Sequence, residues 1–173
     1  MAEELYTVVA FDPGGITGWA LFGVYDRAMR NPHRKILNNI AWWKAGEFTG
    51  PENSQVDEMI ELVQAWDNAH IVMEDFVLRK FSTDKEMLSP VRMYARFDYG
   101  MHLYEDKRKI ILQPGQLAME TITDARLEAL GRLGLYNATK GQPHARDSVR
   151  HALTWLRRAK NLIALKEATK IDP

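Results

Sequence analysis

The sequence predicts an α/β domain, a mixed five-stranded sheet flanked by helices. Three observations carry this reading. Apolar runs of strand length occur at Leu5 to Phe11, Ile16 to Gly23, Ile40 to Phe48, His70 to Met73 and Ile110 to Leu112. Segments with helical spacing follow Pro51, Ser89 and Pro143. After an opening hairpin the two kinds of segment alternate, the pattern of a sheet with helices packed on it.

Leu5, Val8, Val9, Ala10 and Phe11 read as a strand covered on both faces, ending at Asp12. Pro13, Gly14 and Gly15 make the turn, where the two glycines are expected to supply positive φ, and Ile16 to Gly23 returns as the hairpin partner. Tyr25 to Asn39 is polar, contains Pro32 and reads as a connection to the third strand, Ile40 to Phe48, which Thr49, Gly50 and Pro51 stop. Val56 to Asn68 has helical spacing, with Ile60, Val63 and Trp66 or Asp67 marking the edges of a face. His70 to Met73 is the fourth strand, ending in Glu74 and Asp75, and Phe76 to Asp84 is a basic loop.

The next helix is punctuated by Ser89 as N-cap and Pro90 in its first turn. Val91, Tyr94, Ala95, Met101, Leu103 and Tyr104 carry its apolar surface, and the run Lys107 to Lys109 lies near its C-terminal end, where positive charge is favourable. Ile110 to Leu112 is a short fifth strand stopped by Pro114 and Gly115; Gln116 to Leu133 alternates helical stretches, and Gly134 to Gln142 is a loop. Pro143 opens the last helix, which runs to Ala168 with Val149, Ala152, Trp155, Leu156, Ala159 and Ile163 as its buried stripe.

A chain of 173 residues with 46% hydrophobic residues suits one domain spanning residues 1–173. There is no cysteine, so disulfides and thiolate metal sites are excluded and any metal is held by carboxylate, imidazole, carbonyl or water. No signal-like or bilayer-spanning run is visible, which leads us to expect a cytoplasmic protein with no membrane partner. The net charge is zero but unevenly placed: 5 basic and 12 acidic residues up to Asp75, 18 basic and 11 acidic from Phe76 onward. A basic surface built from the second half is compatible with nucleic acid.

Folding does not require an acid at the end of a buried strand, and a buried carboxylate is usually matched by a cation, a hydrogen-bond network or a metal. Asp12 therefore has two readings, a turn opener before Pro-Gly or a site residue. Glu74 is a second acid directly after a buried strand; it shares a face with Val72, whereas Asp75 points the other way and reads as a solvated loop acid. His144 and Asp147 stand three apart in the first turn of the last helix and project from one side, although an acid there also suits the helix dipole. His151, one turn further, reads as a packing or surface histidine. Asp12, Glu74, His144 and Asp147 converging at one sheet edge would make a site for two Mg2+ or Mn2+ ions, about 3.5 to 4 Å apart in enzymes that cleave phosphodiesters this way.

These residues resemble a known family. The run Ala10-Phe-Asp-Pro-Gly-Gly-Ile-Thr-Gly-Trp-Ala20 is similar to the first motif of RuvC-type Holliday-junction resolvases, Val72-Met-Glu74 to their second, and His144-Ala-Arg-Asp-Ser148 to the terminal one. The ordered set spans nearly the whole chain. The resemblance implies an RNase H-like fold, a homodimer, and metal-dependent nicking of opposed strands at a four-way DNA junction. It implies that Asp12 bridges two metals, that Glu74 and Asp147 each hold one, and that His144 completes the second ion or orients water. His144 stands where many members have Asp, which lowers the negative charge of the site and favours manganese. The family's glycine- and lysine-rich DNA-contacting segment has no alignable counterpart; Arg126, Arg132 and Lys140 are the candidates for its role. The insert Tyr25 to Asn39 and the tail after Arg158 likewise lack one.

For DNA contact, Arg79 and Lys80 beside Glu74 would track phosphates while Phe76 or Phe81 stacks on an unpaired base. Arg92 and Arg96 on one helical stripe, with Lys140 and Arg146, complete the expected surface. The partners expected are branched DNA, including forks and flaps, and a second copy of the chain. Two other readings remain: an actin-like or sugar-kinase-like ATPase, for which the chain is short and a second phosphate loop is missing, and a non-catalytic module that binds branched DNA.

Overall fold

The computed structural model describes residues 4–31, 33, 35–76 and 87–169, with the backbone alone for residue 132 and for residues 161–169. Arg79, Lys80 and Phe81 lie outside the described residues, as does Pro32. Five strands form one mixed sheet: β1 (Leu5–Asp12), β2 (Thr17–Tyr25), β3 (Ile40–Phe48), β4 (His70–Asp75) and β5 (Ile110–Pro114), in spatial order β3-β2-β1-β4-β5. The first three strands are antiparallel neighbours; β4 runs parallel to β1, and β5 parallel to β4.

Strict alternation along β1 splits the core in two. Val8 and Ala10 face one side with Ala20, Phe22 and Val72; Val9 and Phe11 face the other with Leu21, Ile71 and Met73. On the second face lie α2 (Glu52–Gln64) and α3 (Ser89–Leu103), which contribute Met59, Val63, Met93 and Phe97. The first face is covered by the long α7 (Pro143–Thr169), through Val149, Ala152, Leu153, Leu156 and Ala159. Around it are α1 (Asp26–Arg30), α4 (Gly115–Thr121), α5 (Asp124–Ala129) and α6 (Leu135–Ala138).

Several expectations are corrected. Neither Gly14 nor Gly15 occupies the left-handed region; among the described glycines positive φ falls instead on Gly50, Gly134 and Gly141. The turn after β1 is secured from outside, by Gln55 Nε2 of α2 donating to the carbonyls of Gly15 (2.9 Å) and Gly50 (2.8 Å). The segment Tyr25 to Asn39 contains α1 and a 3-10 turn at Ile36–Asn39, because Ala28 and Met29 find burial under α7. Helix α2 starts four residues before Val56, at Glu52, directly after Pro51, whose fixed φ suits a helix entrance. Ser89 is the first residue of α3, Leu88 standing at the cap position.

The apolar stripe of α3 differs most. Met93, Phe97, Gly100 and Met101 face the core, while Val91, Leu103 and Tyr104 of the expected surface are exposed, together with Tyr99. Gly100 allows this, because a methyl there would overlap Ile60 of α2. Two further glycines serve the sheet. Gly23 pairs with Trp42, and Gly46 with Trp19, across β2 and β3; each indole lies on the space a glycine Cβ would take.

Candidate active site

The backbone pairing sets the site. Across the antiparallel strands Asp12 of β1 pairs with Gly18 of β2, and Gly18 with Glu47 of β3. In the parallel half Phe11 pairs with Met73, so Asp12 and Glu74 come next, and Glu74 pairs with Gln113 of β5. Glu47, Gly18, Asp12, Glu74 and Gln113 thus form one rung across all five strands. By alternation Asp12 shares the face of Ala10, and Glu74 that of Val72, so both acids point toward α7, as the strand parity predicts. Asp75 takes the other face and is half-buried.

Helix α7 begins above this rung. A methyl on Gly18 would overlap the backbone of His144 and Ala145, so glycine alone lets the helix start come down onto the sheet. The Glu47 carboxylate accepts the N–H groups of His144 (3.0 Å) and Ala145 (3.4 Å), satisfying donors that a helix start leaves open. With its backbone fixed, His144 brings Nδ1 to 2.8 Å from Asp12 Oδ2.

Asp12 is 9% exposed, and its carboxyl is within hydrogen-bonding reach of Glu74. Burial pushes the Asp12 carboxyl up to about 7; His144 opposes the shift and the neighbouring Glu74 reinforces it. Burial would also push Glu74 up, but its hydrogen bonds with His151 and Asp12 prevail and hold it below the usual carboxylate value. Two adjacent carboxyls do not both ionise cheaply, and the opposite shifts of Asp12 and Glu74 follow from that. His144 is raised through its hydrogen bond to Asp12.

Asp147 is placed differently from the expectation of four converging ligands. Its carboxylate is engaged by Arg150, which also pairs with Asp124 and donates from Nε to the Ile122 carbonyl at 3.1 Å. Among the described residues no three His, Asp or Glu side chains surround a common point where an ion would sit. Asp147 and Glu74 nevertheless line the same small cavity of about 30 Å³, closed by Gly115, Ala118, Met119, Arg150 and His151. The chemistry of the donor set suits a hard divalent cation: carboxylate oxygens of Asp12 and Glu74 stand side by side, with the His144 imidazole 2.8 Å from Asp12.

His151 is not merely a packing histidine. It is buried, with Nε2 3.5 Å from Glu74 Oε2 and Nδ1 2.9 Å from Gln113 Nε2. Glu47, Gln113 and Arg150 join it as residues the sequence did not mark: the partners of Glu47 and Gln113 are nearly a hundred and nearly forty positions away, and Arg150 bonds Asp147 one turn back but also reaches Asp124 and Ile122, more than twenty positions away.

The expected DNA contacts are placed as follows. Phe76 is half-buried just past β4, and Lys140 is exposed before α7. Arg92 and Arg96 both pair with Glu52 of α2. The Arg146 guanidinium lies 4.4 Å from the Tyr136 ring centroid and donates to Thr139, so it braces the loop before α7. No helix among the described residues is long and apolar enough to cross a membrane.

A mixed sheet of this strand order, flanked by helices and carrying acids on β1, β4 and the last helix, is an RNase H-like fold of the RuvC kind. The RuvC protein of Thermus thermophilus in complex with a Holliday junction substrate superposes with a TM-score of 0.55 at 14% identity, covering 86% of this chain and 91% of that one. A second Thermus thermophilus RuvC structure gives 0.53 at 14% identity, covering 86% and 92%. No protein-family model matches the sequence, and no curated protein matches it.

Proposed function

We propose that this chain is a divalent-metal-dependent, structure-selective endonuclease that cleaves branched DNA and resolves Holliday junctions by paired nicks. The observation that carries this reading is the pairing of buried Asp12 with half-buried Glu74 beneath the His144 turn of α7, set in a fold like that of a protein solved with a Holliday junction substrate. Asp12, Glu74, His144 and Asp147 would hold two Mg2+ or Mn2+ ions. Bound there, the ions would supply an activated water and stabilise the leaving oxygen. The chain's own residues set the stage: β1 and β4 fix the two carboxylates, Glu47 and Gly18 fix the helix that carries His144, and Arg150 holds Asp147 until a cation competes for it.

Paired nicks need two sites, and we assign the outer face of α3 to a second copy of the chain. Val91, Ala95, Tyr99 and Leu103 recur every four residues along it; Val91 is 41% exposed, and Tyr99 and Leu103 are each 63% exposed. A twofold axis through this stripe would pair it with itself and set the two acidic sites apart.

The test is cleavage of a labelled synthetic four-way junction, with fork, flap and linear duplex controls, in Mg2+ or Mn2+. The native chain should cut branched DNA only with metal, and Asp12→Asn should lower the rate by about 100-fold or more. Metal-independent cutting, or equal cutting by the variant, defeats the reading. Junction binding with no cutting by the native chain would favour the non-catalytic module.

A further inference from the structure

At the β5 end of the rung, Gln113 and His151 form a buried pair that the four proposed ligands do not include. Gln113 is 1% exposed and the His151 side chain 1%. One amide atom of Gln113 faces both His151 Nδ1 at 2.9 Å and the His151 backbone carbonyl oxygen at 3.3 Å. A carbonyl oxygen only accepts hydrogen bonds, so the atom facing it is the amide NH2 group, not the amide oxygen. That group therefore donates to Nδ1 as well, and Nδ1 presents its lone pair. The ring proton is then on Nε2, which faces Glu74 Oε2 at 3.5 Å.

The opposite amide orientation would set oxygen against oxygen and, in a neutral ring, leave Nε2 with a lone pair aimed at a carboxylate. The chosen orientation leaves Gln113 Oε1 buried without a partner, a cost the site bears to fix the tautomer. On its other side Glu74 is confined by Gly115, where a methyl would overlap its Oε1. Glu74 thus has a donor on one side, a wall on another and Asp12 on a third.

We propose that Gln113 and His151 are positioning residues: Gln113 sets the His151 tautomer, and the Nε2–H of His151 orients the Glu74 carboxylate for a divalent cation. This rests on the proposed function, and it adds a relay from the edge strand β5, through α7, to a ligand on β4. The arrangement follows the general pattern in which an outer hydrogen bond aims an inner ligand, and loss of such a partner typically weakens metal affinity by about 10–100-fold.

The experiment uses the full chain and two readouts. Long-range 1H–15N NMR on histidine-labelled, metal-free protein reads the tautomer, and titration with Mn2+ alone reads affinity, for the native chain, Gln113→Leu and His151→Ala. We expect the Nε2–H tautomer for native His151, Mn2+ binding weakened about 100-fold in His151→Ala, and about 10-fold in Gln113→Leu. Gln113→Leu matters because, among the described residues, the Gln113 amide hydrogen-bonds only to His151; the change keeps the side chain's approximate volume, and it serves if His151→Ala does not fold. An Nδ1–H tautomer, or native Mn2+ affinity in a folded Gln113→Leu, overturns the proposal while leaving the nuclease reading intact. A native chain that binds no Mn2+ overturns both.

Discussion

Asp12 and His144 hold their protons more tightly in the folded chain than when unfolded, and the pH dependence of stability follows from that. Asp12 is raised from 3.8 to about 7, and His144 is raised above 6.5. Where the native state binds more protons than the unfolded one, stability falls as pH rises. Asp12 contributes such a fall between its unfolded value and about 7, and His144 adds one from 6.5 through its raised value; the lowered Glu74 acts oppositely, costing stability only as pH drops below about 4.5. Thermal melts of metal-free protein should therefore show Tm declining from about pH 5 to about pH 8. Asp12→Asn should flatten most of that slope, and a variant as steep as the native chain would refute the assignment. With Mn2+ present the trend should reverse, because a cation competes with protons for these side chains and binds better as protons leave. At this scale the sequence was informative about acids and silent about their neighbours. Asp12 and Glu74 stood out as charges at the ends of apolar runs, and parity chose Glu74 over Asp75. His151 and Gln113 look like any buried polar residues until the fold brings them together.

The key joint between elements is the start of α7 on β2 and β3. Gly18→Ala places a methyl into helix backbone, which cannot rotate aside as a flexible side chain would. We expect a loss of about 1–3 kcal/mol or more by denaturant unfolding, with junction cleavage falling further than stability explains because His144 moves off Asp12. Glu47→Gln keeps an acceptor at the helix start but removes its charge, and should cost less than about 1 kcal/mol, whereas Glu47→Ala should cost about 1–2 kcal/mol. Equal losses for the two variants would show that the cap bond at Glu47 contributes little. Element identities were legible because strand runs and Pro or Gly breaks are local signals; β3 has the bounds its sequence gives. The stripe of α3 was misread for a physical reason: Val91, Ala95, Tyr99 and Leu103 make one apolar face, and Met93, Phe97 and Met101 make another. Periodicity alone cannot say which of two apolar faces enters the core.

For the whole molecule, that second apolar face is the proposed meeting surface of two copies. Substituting Leu103→Glu on it should leave the fold intact, since the side chain is exposed, and should halve the mass seen by light scattering. On a four-way junction the resulting monomer should give single nicks where a dimer of the native chain would give paired ones. A native chain that is monomeric at micromolar concentration and still pairs its cuts would remove α3 from consideration. Neither the charge asymmetry nor the list of cations resolved a DNA path: Arg92, Arg96 and Arg146 each have partners within the fold, which a sequence does not display.

The rung through Glu47, Gly18, Asp12, Glu74 and Gln113 also decides which changes of length the chain tolerates. Side chains alternate along a strand, so one residue inserted or deleted upstream of the rung within β1 or β4 would slip the register and turn its carboxylate to the opposite face, under α2 and α3. The same insertion in the stretch between β2 and β3 leaves every rung member in place. Lineages of this domain should therefore vary freely in connection length while the count of residues from the start of each pairing to its acid stays fixed, a constraint on spacing rather than on composition.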